Sequence, residues 1–404
     1  MRVPPAFRYR DFRLFVSGYI PSQTGDYIQL VVQNWLVWEL TQSAFYLGLI
    51  GFFEFAPRFI FGPLGGVITD RVDRLKLMIL TQILALLQTA IFAFLIYSGL
   101  IQFWHIAALV TFMAIVHSVS TTAQQVFICS VVPQESVISA LALNSATHNL
   151  TKIIGPSIGG ILLTLIGAAN CILIHFLTIL AMLGALLLIR EYSFTAPSVS
   201  REWYRDIAEG FSYVRHNPRV LTTILLTYTN GFFGISYSQF LPVFAQEILK
   251  TGPTGYGFLL SAPGVGAVAI SFFLSTHTRL SRMQRLLLGS SAIYAAGIFL
   301  FALSRLMMLS LLLLAAVGAM QMSYRVLARA IIQEEAPPAL LGRAMSLFFL
   351  DRGFGSLGAL FVGSLATIFP VYLAVALSAA GCGLSTYLIP RSLRRKKAPA
   401  QAIS

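Results

Sequence analysis

A chain of 404 residues that is 57% apolar and only 11% charged carries roughly half the charge fraction of a soluble globular protein. That excludes an ordinary soluble enzyme and sets most of the apolar surface against lipid. The net charge of +13 would suit a nucleic-acid binder only if the basic residues gathered in one stripe; they are spread along short loops, so no nucleic-acid partner is expected.

A helix needs about 20 residues to cross the hydrocarbon. Twelve apolar runs meet that length, at 12–39, 44–69, 75–98, 103–130, 138–166, 169–190, 218–247, 254–277, 284–304, 306–332, 342–367 and 370–390. The basic start (Arg2, Arg8, Arg10, Arg13) enters the first run without a small-residue cleavage site, so that span is expected to double as the targeting signal. Of the 28 lysines and arginines, Lys250 and Arg305 alone fall in one set of alternate loops. Arg58, Lys152, Arg325, Arg329 and Arg352 lie well inside runs, and all the others lie at the N-terminus, in the remaining loops or at the run ends that border them, or in the tail. The positive-inside rule then puts both termini in the cytoplasm.

The first run carries Ser22, Asp26, Gln29 and Gln33 at helical spacing on one face, read as the lining of a central cavity. A charge at mid-membrane is expensive, about 2.5–3.5 kcal/mol on insertion scales. Asp26 is therefore the first candidate for a proton carrier, the alternative being a fixed polar anchor. In the second run Glu54 and Arg58 stand one turn apart around Pro57, as a self-neutralising pair or as a carboxylate that exchanges its partner for a proton or a cationic solute. The stretch GPLGGVITDRVDRLK follows at 62–76: Gly62 and Gly66 allow close helix contact, and Asp70, Arg71, Asp73, Arg74 and Lys76 mark a tight loop at the membrane surface.

The fourth run presents His117, Thr121 and Gln124; the fifth presents Asn144, Thr147, His148, Thr151 and Lys152 on one broad face. Further on, Gly155, Pro156, Gly159 and Gly160 form a close-packing motif in which the proline removes a helical hydrogen bond. His105 and His175 near span ends carry little signal. Between spans six and seven, Trp203, Tyr204, Ile207, Phe211 and Val214 share one face of an interfacial amphipathic tether. Asn230 and Tyr237 in run seven can share a cavity face. Run ten presents Gln321, Arg325 and Arg329 at four-residue steps and run eleven presents Asp351 and Arg352; Asp351 can balance Arg325 or Arg329, and Asp351–Arg325 is expected as a structural cross-helix pair. Cys129, Cys171 and Cys382 lie at no metal spacing and are expected as free buried thiols; no metal and no cofactor is expected. No phosphate loop is present, and Gly264-x-Gly266-x-x-Ala269 lies in an apolar run without a βαβ unit, so no enzyme is expected.

Shifting the first half by 209 residues aligns Gly25 with Gly234, Gly48 with Gly257 and Lys76 with Arg285. The expected organisation is an N-terminal six-helix bundle (1–190), a cytoplasmic tether (191–217), a C-terminal six-helix bundle (218–390) and a basic tail (391–404). The fold class is an all-α membrane protein of twelve transmembrane helices in two pseudo-symmetric bundles, with the solute site between them.

Together with the 62–76 loop, the segments SQTGDYIQLVVQNWLVWELTQSAFYLGL, VVPQESVISALALNSATHNLTKIIGPSIGG, EGFSYVRHNPRV and LLGRAMSLFFLDRG resemble the major facilitator superfamily, in the branch of enterobactin exporters, macrolide-efflux proteins and other secretion-type permeases. The resemblance implies a conformational latch at Gly66, Asp70, Arg71 and Arg74, with Asp70 facing the start of helix eleven near Gly342 and Arg343. Asp73 replaces the usual glycine there. A bare headgroup anchor is the other reading of that loop. It also implies a monomer in the cell (inner) membrane. The expected function is export of an amphipathic small organic molecule, drug, macrolide or siderophore-like, by proton antiport with alternating access. Proton coupling falls to Asp26 and Glu54, and the substrate cavity to Gln29, Gln33, Arg58, His117, Thr121, Asn144, His148, Lys152, Asn230 and Tyr237. The alternatives are facilitated diffusion or uptake of a nutrient or lipid-like metabolite, and a non-transporting membrane sensor.

Overall fold

The computed structural model describes residues 4–189, 211–277 and 283–395; within these, the side chains of Phe59, residues 62–67, Asp70, residues 275–277, Ala339, Arg352 and residues 393–395 fall outside the description. Twelve helical rods are found among the described residues. They are α1 (Arg10–Thr41), α2 (Ala44–Arg71), α3 (Arg74–Tyr97), α4 (Phe103–Ser130), α5 (137–166), α6 (168–187), α7 (218–248), α8 (Gly252–His277), α9 (Met283–Leu303), α10 (Met307–Glu335), α11 (338–365) and α12 (Val371–Arg395). Eight continuous stretches are long and apolar enough by composition to span a membrane, and one of these, Gln134–Leu187, holds both α5 and α6. The rods α1, α2 and α7 complete the twelve; α1 and α7 carry the more polar sequences. Large apolar side chains such as Ile60, Phe94, Trp104, Leu165 and Leu312 are more than half exposed, as they are where the solvent is acyl chain rather than water.

Local chemistry sets the ends. Asp73 is the N-cap of α3 and accepts from the amides of Leu75 and Lys76; the residue that replaces a glycine in the signature loop does the work of a cap. Gly167 joins α5 to α6 with φ 78°, a conformation a side chain would strain. Helix α11 begins at Pro338, earlier than the apolar pattern, because proline suits the first turn of a helix. It is interrupted at Leu350. Helix α7 winds as α-helix to Thr229, then as π-helix (Asn230–Gly234), 3-10 helix (Ile235–Phe240) and a second π segment (Phe244–Ile248).

The packing repeats with a period of six helices. Helix α1 packs on α5 and α6, α2 on α4, and α3 on α4 and α6; correspondingly α7 packs on α11 and α12, α8 on α10, and α9 on α10 and α12. The two sets meet along two seams, α5 against α8 and α2 against α11. At the first seam a Cβ on Gly160 would meet the Gly257 Cα at 3.0 Å and the Pro253 carbonyl at 2.5 Å; at the second a Cβ on Gly48 would meet the Gly363 Cα at 3.0 Å and the Ala359 carbonyl at 2.5 Å. Gly48 and Gly257, aligned by the internal repeat, thus occupy equivalent places in the two seams. Ser157 Oγ donates to Ser261 Oγ at 2.8 Å, and the Thr164 and Thr254 hydroxyls are 2.9 Å apart. These contacts lie toward the end of the molecule opposite the chain termini, called the distal end below.

Trp203, Tyr204 and Ile207 of the tether lie outside the described residues, as do Arg279 and Arg282 of the second-half loop. Of the tether, helical turns at 211–216 leave Phe211 exposed and Val214 buried. Cys129, Cys171 and Cys382 are free thiols, the last two buried.

A Thr164→Cys/Thr254→Cys pair in a background lacking the native cysteines should crosslink on mild oxidation. Adding Gly257→Leu, whose side chain meets the α5 backbone, should cut the crosslinked fraction at least fivefold; gel-shift analysis of isolated membranes measures both.

Candidate functional site

Asp26 sits in a small polar pocket of about 50 Å³ inside the first bundle, large enough for a few waters. Its walls come from α1 (Tyr19, Ser22), α3 (Thr81, Gln82), α4 (His117, Gln124) and α6. Asp26 Oδ2 accepts from Gln23 Nε2 at 2.6 Å, and Oδ1 lies 3.6 Å from His175 Nε2. Gln23 Oε1 is 3.2 Å from Nδ1 of the exposed His148. A polar chain therefore runs from His148 on α5 through Gln23 to Asp26 and ends at His175 on α6. His175, which carried little signal in the sequence, is 2% exposed and faces Asp26. Gly25 makes the approach possible, since a Cβ there would collide with the His175 ring and the Thr178 hydroxyl.

The stripe on α1 faces its own bundle rather than a central cleft. Ser22 and Asp26 line the pocket, Gln29 Nε2 points to Gln88 Oε1 of α3 at 3.5 Å, and Gln33 is buried. A neighbouring residue, Asn34, crosses to the second bundle instead: its Nδ2 donates to Gln239 Oε1 and to Tyr256 OH, each at 3.3 Å. Trp35 stacks on Tyr256 with ring centroids 6.4 Å apart. Gln239 also lies beside Gly51, one turn from Glu54. Asn34, Glu54, Gln239 and Tyr256 thus form a polar crossing between the bundles.

Arg58, Lys152, Arg325 and Arg329 lie within the helices of the two bundles. Arg58 Nη2 is 3.8 Å from Glu54 Oε1, and its guanidinium lies over the Phe55 ring at 5.6 Å. Arg325 Nη2 is 2.5 Å from Asp351 Oδ2; the carboxylate side chain is fully buried and the guanidinium 30% exposed. Arg329, one turn on, covers the Phe349 ring at 5.6 Å. Lys152 is half-buried on α5, next to Ile153, which touches Gly264 of α8. Thr121 is exposed, and Gln124 Nε2 donates to Asn144 Oδ1 at 3.3 Å, tying α4 to α5.

Asn230 and Tyr237 are placed away from the inter-bundle space. Asn230 is fully buried and donates to Ser291 Oγ at 2.9 Å, while Cys382 Sγ donates to its Oδ1 at 3.2 Å. Tyr237 is buried edge-on to Phe301. Both are held in the interior of the second bundle, by partners on α9 and α12. The Gly155 and Gly159 faces receive Tyr27 and Ile28 of α1, Gly160 receives α8, and the Pro156 carbonyl lies at Gly257. In the signature loop Gly66 and the Asp70 side chain lie outside the description; Arg71 is exposed and Arg74 buried.

A second cavity of about 530 Å³ opens at the distal end between the bundles, lined by Trp38, Gln42, Glu247, Arg305 and Tyr372 among others. Arg305 covers the Tyr372 ring at 4.6 Å. No cluster of three or more metal-ligating side chains is found among the described residues.

A family model described as transmembrane secretion effector matches residues 4–402. The staphyloferrin A transporter of Staphylococcus aureus is 24% identical and spans 95% of this chain and 97% of its own. The enterobactin exporter EntS of Shigella boydii is 26% identical over 95% of this chain and 90% of its own, and macrolide efflux protein A of Streptococcus pyogenes 22% identical over 84% and 85%. A bacterial homologue of the human lysosomal transporter Spinster, solved inward-facing and unoccupied, superposes with a TM-score of 0.70 at 15% identity, covering 98% of this chain and 99% of that one. The nucleoside transporter NupG gives 0.71 at 10% identity over 95% and 99%. These two likenesses carry the fold.

Removing Arg325 alone should deprive the buried Asp351 carboxylate of its guanidinium partner, a defect of up to about 3–5 kcal/mol. Arg325→Met should therefore lower the thermal unfolding midpoint in detergent, and Arg325→Met/Asp351→Leu should recover most of the loss.

Proposed function

The chain belongs to the transmembrane secretion effector family of the major facilitator superfamily, a family of membrane transporters and not of enzymes, and from that premise we propose that it exports an amphipathic small organic molecule by proton antiport with alternating access. Support for the outward direction comes from relatives named as macrolide efflux, multidrug efflux and enterobactin export proteins. In this reading the protein lies in the inner membrane with both termini cytoplasmic, works as a monomer, and keeps Asp70, Arg71 and Arg74 as the latch of the signature loop. The distal cavity is then the vestibule through which solute leaves.

The observation that carries proton coupling is the polar chain His148–Gln23–Asp26–His175. It joins an exposed imidazole to a carboxyl inside the first bundle through hydrogen-bond distances, with water-sized room beside it. A ligand shifts the balance between two facing states only if it binds one of them better. A proton on Asp26 meets that condition by removing a charge that is costly to hold in hydrocarbon. Glu54 is the second coupling group: it sits at the crossing of Asn34, Gln239 and Tyr256, where protonation changes its hold on Arg58. Substrate occupies the space bordered by Arg58, Thr121, His148 and Lys152.

In proteoliposomes with an imposed pH gradient, Asp26→Asn should reduce gradient-driven transport at least tenfold without altering protein yield. Undiminished pH-driven transport would move the coupling role elsewhere, and transport indifferent to collapse of the gradient would remove it. Gly25→Ala, which displaces His175 from Asp26, should shift the pH dependence of transport while leaving Asp26 in place. Cells lacking the protein should accumulate its solute; reduced uptake instead would reverse the direction.

A further inference from the structure

The distal cavity, at about 530 Å³, is of the size that holds a small organic molecule. Both bundles build it. Trp38 and Gln42 come from the end of α1, Glu247 from the end of α7, Arg305 from the turn between α9 and α10, and Tyr372 from the start of α12. The polar crossing of Asn34 with Gln239 and Tyr256 lies one turn further into the molecule along α1. It ties the bundles together beneath the cavity, which is therefore a compartment with a floor.

The walls carry both signs of charge, and the two do not neutralise each other. Glu247 and Arg305 line the same cavity and are both exposed, yet neither forms an ion pair with the other or with a third residue among those described. The Arg305 guanidinium is held instead over the Tyr372 ring at 4.6 Å, an arrangement that covers its face and leaves its in-plane N–H donors available. Trp38 adds a third polar group: it is 4% exposed, and its indole N–H is buried without an acceptor among the described residues. A buried donor with no partner is uncommon in a native structure and calls for a ligand or a water to complete it. The cavity thus offers one anionic group, one cationic group, a spare donor and two aromatic rings.

We propose that the distal cavity is a solute-binding site in its own right, selective for zwitterions that carry an ammonium, a carboxylate and an apolar body. The ammonium goes to Glu247, the carboxylate to the Arg305 fork, and the body to the Trp38 and Tyr372 rings. A solute with a single charge meets a like charge on one wall, which favours the zwitterion over either half of it. This deepens the exporter reading, in which the cavity is the exit, and rests on it for the identity of the ligand as cargo. Because Trp38 belongs to the first bundle and Glu247, Arg305 and Tyr372 to the second, the bound solute touches both.

The test uses three matched probes, with the full-length protein in lipid nanodiscs and binding read by polarisation of the dansyl fluorescence. Nε-dansyl-lysine is the zwitterion; dansylcadaverine lacks its carboxylate, and dansyl-6-aminohexanoate lacks its α-ammonium. Wild type should bind the zwitterion at least tenfold more tightly than either of the others. Glu247→Gln should erase the preference over dansyl-6-aminohexanoate, and Arg305→Gln the preference over dansylcadaverine. Each variant should hold the affinity of that single-charge probe within twofold or raise it, which also shows that it is folded. Equal affinity for the three probes, no binding of the zwitterion, or preferences untouched by both substitutions would overturn the site. Proteoliposome transport separates the two readings. Zwitterion bound selectively but moved in neither direction overturns the exporter reading and leaves the site standing. Outward transport of all three probes at equal rates, in wild type and both variants alike, overturns the site and leaves the exporter.

Discussion

Hydrocarbon gives polar and charged groups no water to fall back on, and most of this structure follows from that constraint. Each ionisable residue inside the helical region is met by a specific neighbour or stands beside a space that water or solute can enter. Arg325 meets Asp351, Arg58 meets Glu54, and Asp26 meets Gln23 and His175. Lys152 has no carboxylate partner among the described residues and is half-buried. Neutral polar groups follow the same rule: Asn230 is held by Ser291 and Cys382, and Ser157 by Ser261.

A second constraint is geometric. Helices from different bundles approach through small residues rather than large apolar ones that would interlock. Gly160 against Gly257 and Gly48 against Gly363 bring backbones together with little side-chain interdigitation. The serine and threonine hydroxyls beside the first seam add short hydrogen bonds.

Much of the architecture was legible in the sequence because its causes are local. Span length, loop charge and the glycine motifs mark the twelve rods, and the 209-residue repeat anticipates the equivalence of Gly48 and Gly257. Features that depend on rotation about a helix axis were not legible. A stripe of Ser22, Asp26, Gln29 and Gln33 shows that α1 has a polar face, but not whether the face meets the inter-bundle space or the interior of its own bundle. It meets the interior, and Asn34, one residue along, makes the crossing. His175 carried no local signal because its partner comes from a helix about 150 residues earlier; the clue was Gly25, next to Asp26, where a larger residue would hold the imidazole away. Asn230 and Tyr237 raise the same question: their spacing puts them on one face, but not that this face turns toward α9, where Ser291 and Phe301 lie.

That irregular winding has a mechanical consequence. Helix α1 keeps α winding from end to end, losing one backbone hydrogen bond at Pro21, while its repeat partner α7 changes pitch several times between Asn230 and Ile248. Two halves built to one plan therefore differ in compliance: the first is braced by a stiff strut, and the second contains a spring. A load applied symmetrically across the interface would deform the C-terminal half first, with Asn230 as the anchored end of the coil.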